Sequence, residues 1–169
     1  MQKKKHFLLG FNLIVLSLLL TACGFHLRGP VELPLEYRSV YVEEKGGLGL
    51  LKRELTEQLG YSTAAVAVEK AKADVIIRIL SESRDTRTLS LSRGGKSIQL
   101  ELTYLVHFDV LDREGNVLLA DQKLEMVRDY YNDQTDVIGK SNEQALIYKE
   151  MESRMANLLL RRVRAVLTD

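Results

Sequence analysis

The chain has 169 residues with 24 Lys and Arg against 23 Asp and Glu, a single cysteine and no tryptophan. One thiol excludes a disulfide framework, and the balanced charge disfavours non-specific nucleic-acid binding, so any affinity for polyanions has to come from local clusters. Two prolines and no low-complexity tract argue against a disordered or pilus-like chain.

The first segment reads as a secretory leader. Lys3, Lys4 and Lys5 precede the apolar run 7–20, interrupted only by Gly10, Asn12 and Ser17. That run is about 14 residues, roughly 21 Å as a helix, and a spanning helix needs about 20 residues. Leu20-Thr21-Ala22-Cys23 closes it with small residues followed at once by the thiol. This is the order of a bacterial lipobox, in which the cysteine takes a lipid and becomes the new first residue. The expected organisation is therefore a cleaved leader over 1–22, a lipid-anchored extended tether over 23–38 and one domain over 39–169. Loss of the leader moves the formal charge from +1 to −2, because the leader carries three lysines and no acid. Gly24, in place of an aspartate after Cys23, matches sorting to the outer membrane by resemblance to bacterial sorting rules.

Pro30 and Pro34 keep the tether extended. A short strand is expected over 39–43 from the alternation of Val40 and Val42 with Tyr41 and Glu43. Leu48, Leu51, Leu55 and Leu59 then recur at helical spacing, with Gly60 expected as the C-cap. The Gly46-Gly47-Leu48-Gly49 turn lacks the Lys-Ser/Thr pair of a phosphate loop and reads as loop glycine. A minor strand is possible around 64–68. From Asp74 a long β region begins, with Val75, Ile77 and Ile79 on one face and Arg78 and Glu82 expected on the other.

The clearest alternation follows. Ile98, Leu100, Leu102, Tyr104, Val106, Phe108 and Val110 alternate with a largely polar row that includes Thr103, His107 and Asp109. Asp112-Arg113-Glu114-Gly115-Asn116 reads as a hairpin, and the return strand covers about 117–130. A last helix is expected from Asn142 to about Val166, with Ser141 and Gln144 as a capping box. Its apolar stripe holds Ile147, Met151, Met155, Leu158, Leu159, Val163 and Val166, whereas Arg154, Arg161, Arg162 and Arg164 lie mainly outside it. The sum is an α+β two-layer sandwich, β-α-β-β-β-α, with two helices on one face of a mixed, mainly antiparallel four-stranded sheet.

Few residues carry chemistry. His107 and Asp109 share the polar face and could form a relay or half a metal site, but no nucleophile elbow or zinc or calcium motif accompanies them. The expectation is no enzyme, no metal and no cofactor. Arg84, Arg87, Arg93 and Lys96 with Ser90, Ser92 and Ser97 place cations and hydroxyls around the Gly94-Gly95 tip between the long strands. That grouping suits phosphate or carboxylate oxygens, as well as plain hydration. Lys140, just before the expected cap Ser141, is a cation where the helix dipole favours an anion, although Asp133, Asp136 and Glu143 could neutralise it.

Three stretches carry a resemblance: Gly24-Phe25-His26-Leu27-Arg28-Gly29 after the lipobox, the Arg93-Gly94-Gly95 turn, and the run 139–147 from Gly139 to Ile147. They resemble the LptE (RlpB) family of LPS-assembly lipoproteins, over essentially the whole chain. The resemblance implies a non-enzymatic partner and plug of the outer-membrane β-barrel LptD that binds lipopolysaccharide during delivery to the outer leaflet. It implies Cys23 as the lipid attachment site, Lys140 and Arg93 as contacts to the anionic head of the lipid, and Lys96 as their neighbour in the basic turn. The alternative is another outer-membrane lipoprotein, a scaffold or a secretion pilotin.

Overall fold

The computed structural model describes residues 31–34, 36–91, 94, 95, 97–131 and 137–168, without the side chains of 97, 98 and 137–141. The elements are β1 (Ser39–Glu44), α1 (Leu50–Gly60), β2 (Ala65–Val66), a single 3-10 turn (Lys70–Lys72), β3 (Val75–Leu91), β4 (Ser97–Asp112), β5 (Val117–Tyr131) and α2 (Val137–Thr168). They form the expected two-layer α+β sandwich, but the sheet has five strands, in the order β2-β1-β3-β4-β5. The fifth strand is β2, only two residues long. Its pairing is set from outside, since Ala65 and Ala67 donate to the carbonyls of Arg38 and Val40 along the edge of β1.

β1 runs parallel to both β2 and β3, as a strand-helix-strand unit requires, and β3, β4 and β5 form an antiparallel meander. The alternating row of β4 is the floor of the core: Leu102, Tyr104, Val106 and Phe108 are wholly buried. Leu51, Leu55 and Leu59 of α1 and Met151, Met155, Leu159 and Val163 of α2 cover them in one cluster. The two helices also touch directly, where Gln58 Nε2 donates to the Ser153 carbonyl at 3.0 Å. Leu33, ahead of β1, is 6% exposed and belongs to the same cluster. Among the described residues no helix is long and apolar enough to cross a membrane.

Three expectations shift. Leu48 lies outside α1 and is 55% exposed, so the buried stripe of that helix starts at Leu51. Gly60 is the last residue of α1 without a positive φ, and the C-cap is Tyr61. The final helix begins at Val137, five residues before Asn142, so Ser141 lies inside it and the expected capping box does not mark its start. Gly139 and Ser141 are weak helix formers and read locally as a boundary. A helix anchored by many buried side chains further along can run through both.

Candidate functional site

The face of β3 that packs on the helices changes identity partway along the strand. A register shift between Ile79 and Ser81 makes Leu80 an extra residue. Before this bulge Val75, Ile77 and Ile79 point into the core. After it Glu82 and Arg84 do, opposite Val106 and Tyr104. Period-two reading places Glu82 on the wet face; the inserted residue reverses that parity.

Glu82 is 7% exposed and accepts three hydrogen bonds. Leu48 N donates to its Oε2 at 3.1 Å, Leu51 N to its Oε1 at 3.1 Å, and the Tyr104 hydroxyl to Oε1 at 2.5 Å. Burial and this carboxylate push the Tyr104 phenol well above its usual range, so it stays protonated and donating. The Gly46–Gly49 turn is thus an anion cradle after all, and the anion is an internal carboxylate that caps α1. Gly49, in the left-handed region at φ 73°, is the N-cap and has no side chain to do this itself. Gly47 is required by close approach, because a Cβ there would lie 2.7 Å from Glu82 Cβ. Gly60 has nothing within 4 Å. We expect Gly47→Ala to destabilise by more than about 1 kcal/mol and Gly60→Ala to stabilise by a few tenths, read as urea midpoints; equal effects would contradict the cradle.

Arg84, grouped by sequence with the basic tip, sits instead under α2. It pairs with Glu152, itself 4% exposed, and its guanidinium lies 4.7 Å from the ring centre of Tyr148 and 5.8 Å from that of Tyr104. Tyr148 Oη donates to the Asp85 carbonyl at 2.8 Å. Arg87 pairs with Glu101 at 2.9 Å. These two arginines are therefore occupied within the fold and are not free tip cations. Sequence reasoning missed this network because its partners lie on three elements.

The His107 and Asp109 pairing also dissolves. Asp109, 7% exposed, is held by Arg78 from β3, with Nε donating to Oδ1 at 2.7 Å. His107 Nδ1 instead lies 3.2 Å from Asp121 Oδ1 on β5. No group of three or more His, Cys, Asp or Glu side chains placed to hold a metal occurs among the described residues.

Of the predicted binding residues, Cys23, Arg93 and Lys96 lie outside the described residues. The Lys140 backbone belongs to the first turn of α2, and its side chain is not described. Gly95, beside Arg93 and Lys96, has φ 76°, a backbone shape that suits glycine at this tip.

The domain so built is an α+β scaffold in which the buried carboxylates Glu82 and Glu152 hold the two helices to the sheet. The LptE family model, described as lipopolysaccharide-assembly, matches residues 37–163, and the chain belongs to this family. The LPS-assembly lipoprotein LptE of Photorhabdus laumondii is 28% identical over 156 residues, covering 91% of this chain and 84% of the relative. The solution structure of uncharacterized lipoprotein B from Nitrosomonas europaea has 31% identity and a TM-score of 0.71, covering 86% of this chain and 93% of that one. The crystal structure of rare lipoprotein B from Shewanella oneidensis gives 25% identity and a TM-score of 0.59 over 75% of this chain and 94% of its own.

Proposed function

We propose that the chain is exported, cut before Cys23 and lipidated there. It then works at the periplasmic side of the outer membrane as the partner and plug of an LptD-like β-barrel, binding lipopolysaccharide on its way to the outer leaflet. The observation that carries this reading is the family match across nearly the whole folded domain. The positive leader, the lipobox and relatives named as LPS-assembly lipoproteins support it.

Arg93, Lys96 and Lys140 are proposed as the contacts to the anionic lipid head. Charge-assisted hydrogen bonds to phosphate contribute about 1.5 to 3 kcal/mol each. The first turn of α2 adds backbone amides without intrahelical partners, which favour an anion beside Lys140. The polar row of β4 and β5, with Thr103, His107 and Lys123, suits the wet interior of a barrel.

Affinity purification of the full chain from outer membranes should bring down a β-barrel protein; recovery of the chain alone would refute the partnership. The double variant Arg93→Glu/Lys140→Glu should capture lipopolysaccharide at least about tenfold less well, since each lost bond removes roughly a factor of ten. Undiminished capture by a variant with unchanged circular dichroism would refute the site assignment.

A further inference from the structure

The two edges of the sheet differ. β2 closes one with two residues, whereas β5 ends the other with 15 and has a neighbouring strand on one side only among the described residues. Gln122 to Asp129 pair with β4 without a break, so the outer side of this stretch presents a straight row of N–H and C=O groups. Long edges are usually blunted by proline, by a bulge or by an unpaired lysine. β5 contains no proline or glycine, and its register shifts lie before Gln122. Its one lysine, Lys123, is tied to Glu125 at 2.8 Å.

The helix side of this edge carries charge. Arg154 and Arg161, both exposed, stand two turns apart on one side of α2, roughly 10.5 Å along its axis. Between them a cavity of about 450 Å³ opens beside the strand, lined by Met126 of β5 and by Asn157 and Leu158 of α2. Arg162 donates to Gln122 Oε1 at 3.1 Å and so holds the helix over the strand. Among the described residues neither Arg154 nor Arg161 is bridged to a carboxylate: Arg84 holds Glu152, and Lys123 holds Glu125 on the open face.

We propose that the outer edge of β5 takes up an extended segment of another protein as a sixth strand. Arg154, Arg161 and the cavity between them select a segment whose helix-side positions read acidic, apolar, acidic. In strand addition the backbone ladder supplies affinity, and side-chain pockets at alternate positions supply selectivity. An added strand lies about 4.8 Å beyond β5, so its residue opposite Met126 meets the floor formed by Met126 and Leu158. The residues two before and two after it sit about 13 to 14 Å apart, within reach of two long side chains that flank the cavity. Each guanidinium can take a carboxylate there with paired hydrogen bonds. A second copy of β5 does not fit. Its own helix-side row, Gln122, Leu124, Met126, Arg128 and Tyr130, would bring a cation and no carboxylate to the two arginines. The inference rests on neither the lipopolysaccharide nor the barrel reading.

The test is fluorescence anisotropy of a labelled peptide, Thr-Thr-Glu-Thr-Leu-Thr-Glu-Thr-Thr, with the full chain in a neutral maltoside detergent. This peptide should bind at least about tenfold more tightly than its counterpart with lysine in place of glutamate, the difference that one charge-assisted bond supplies. Moving each glutamate by one position, onto the other face of the strand, should cost as much. N-methylation of alternate residues should abolish binding in one frame and largely spare it in the other, because only one set of amides faces β5. Hydrogen exchange should slow along 122–129 when the peptide is bound. Arg154→Gln/Arg161→Gln should remove the preference for glutamate with the circular dichroism unchanged, and Arg93→Glu/Lys140→Glu should leave it intact. Equal binding of the lysine peptide, equal binding of both methylated frames, or unchanged exchange along β5 overturns the proposal. So does an absence of binding, or a dimer in sedimentation velocity that excludes the peptide and places a second copy at this edge.

Discussion

Replacing Glu82 by alanine is expected to lower the unfolding free energy by about 3 to 5 kcal/mol, among the largest losses a single substitution gives. Three donors lose their acceptor at once: the amides of Leu48 and Leu51 and the Tyr104 hydroxyl. Tyr104 is wholly buried, so its hydroxyl cannot turn to water without opening the core. The Leu51 amide belongs to the first turn of α1 and the Leu48 amide lies just ahead of its N-cap, Gly49, which offers no side-chain substitute. Glu82→Gln keeps one carbonyl acceptor and should lose less. Urea denaturation gives the free energies, and amide exchange at Leu48 and Leu51 locates the effect, with faster exchange in the alanine variant. A loss under about 1 kcal/mol would mean that water replaces the carboxylate and that the cap is dispensable.

Glu152→Ala should be nearly as damaging, at about 2 to 4 kcal/mol, because it strands Arg84 beneath α2. The guanidinium keeps its contacts with the rings of Tyr148 and Tyr104, which soften the loss. Its Nε already lacks a hydrogen-bond partner, which leaves little to compensate for the missing carboxylate. Arg84 retains 26% side-chain exposure against 5% for Glu152, so the figure is set below that of a fully enclosed pair. The double variant Arg84→Met/Glu152→Met should recover much of the stability, since apolar side chains of similar length refill the space without an orphan charge. Additive losses in the cycle would show that the two side chains are not coupled. The exposed pair of Arg87 and Glu101 is the internal control; Arg87→Ala should change stability by less than about 1 kcal/mol.

Both predictions concern residues that local patterning misplaced, and the reason is physical. The alternation of β4 is legible because each of its even side chains from Leu102 to Val110 meets the same packed layer, so composition and geometry agree. The stripes of the two helices are legible for the same reason, through Leu51, Leu55 and Leu59 and through Met151, Met155 and Val163. The bulge at Leu80 is different. A bulge has no compositional mark here, yet it decides which face receives Glu82 and Arg84. Strand β2 and the early start of α2 are likewise decided by neighbours: the free edge of β1 recruits Ala65 and Val66, and packing carries the helix across Gly139 and Ser141.

Of the candidate site, the basic tip and Lys140 stand out in the sequence by charge and hydroxyl content alone. That Arg84 and Arg87 are engaged elsewhere required the third dimension, since Glu152 is 68 positions from Arg84 in the chain. His107 and Asp109 show the converse. They are neighbours on one strand face, and each nonetheless finds its partner on an adjoining strand, Asp121 and Arg78 respectively.

Leu33 fixes a length. Its side chain is built into the core ahead of β1, so no more than about ten residues separate Cys23 from the packed core, a span that reaches at most about 33 to 36 Å. With a lipid on Cys23, the folded body could not patrol the periplasm. It would sweep a shallow cap under one membrane leaflet, at a local concentration that free diffusion would not give, and could meet only partners whose openings lie within that radius.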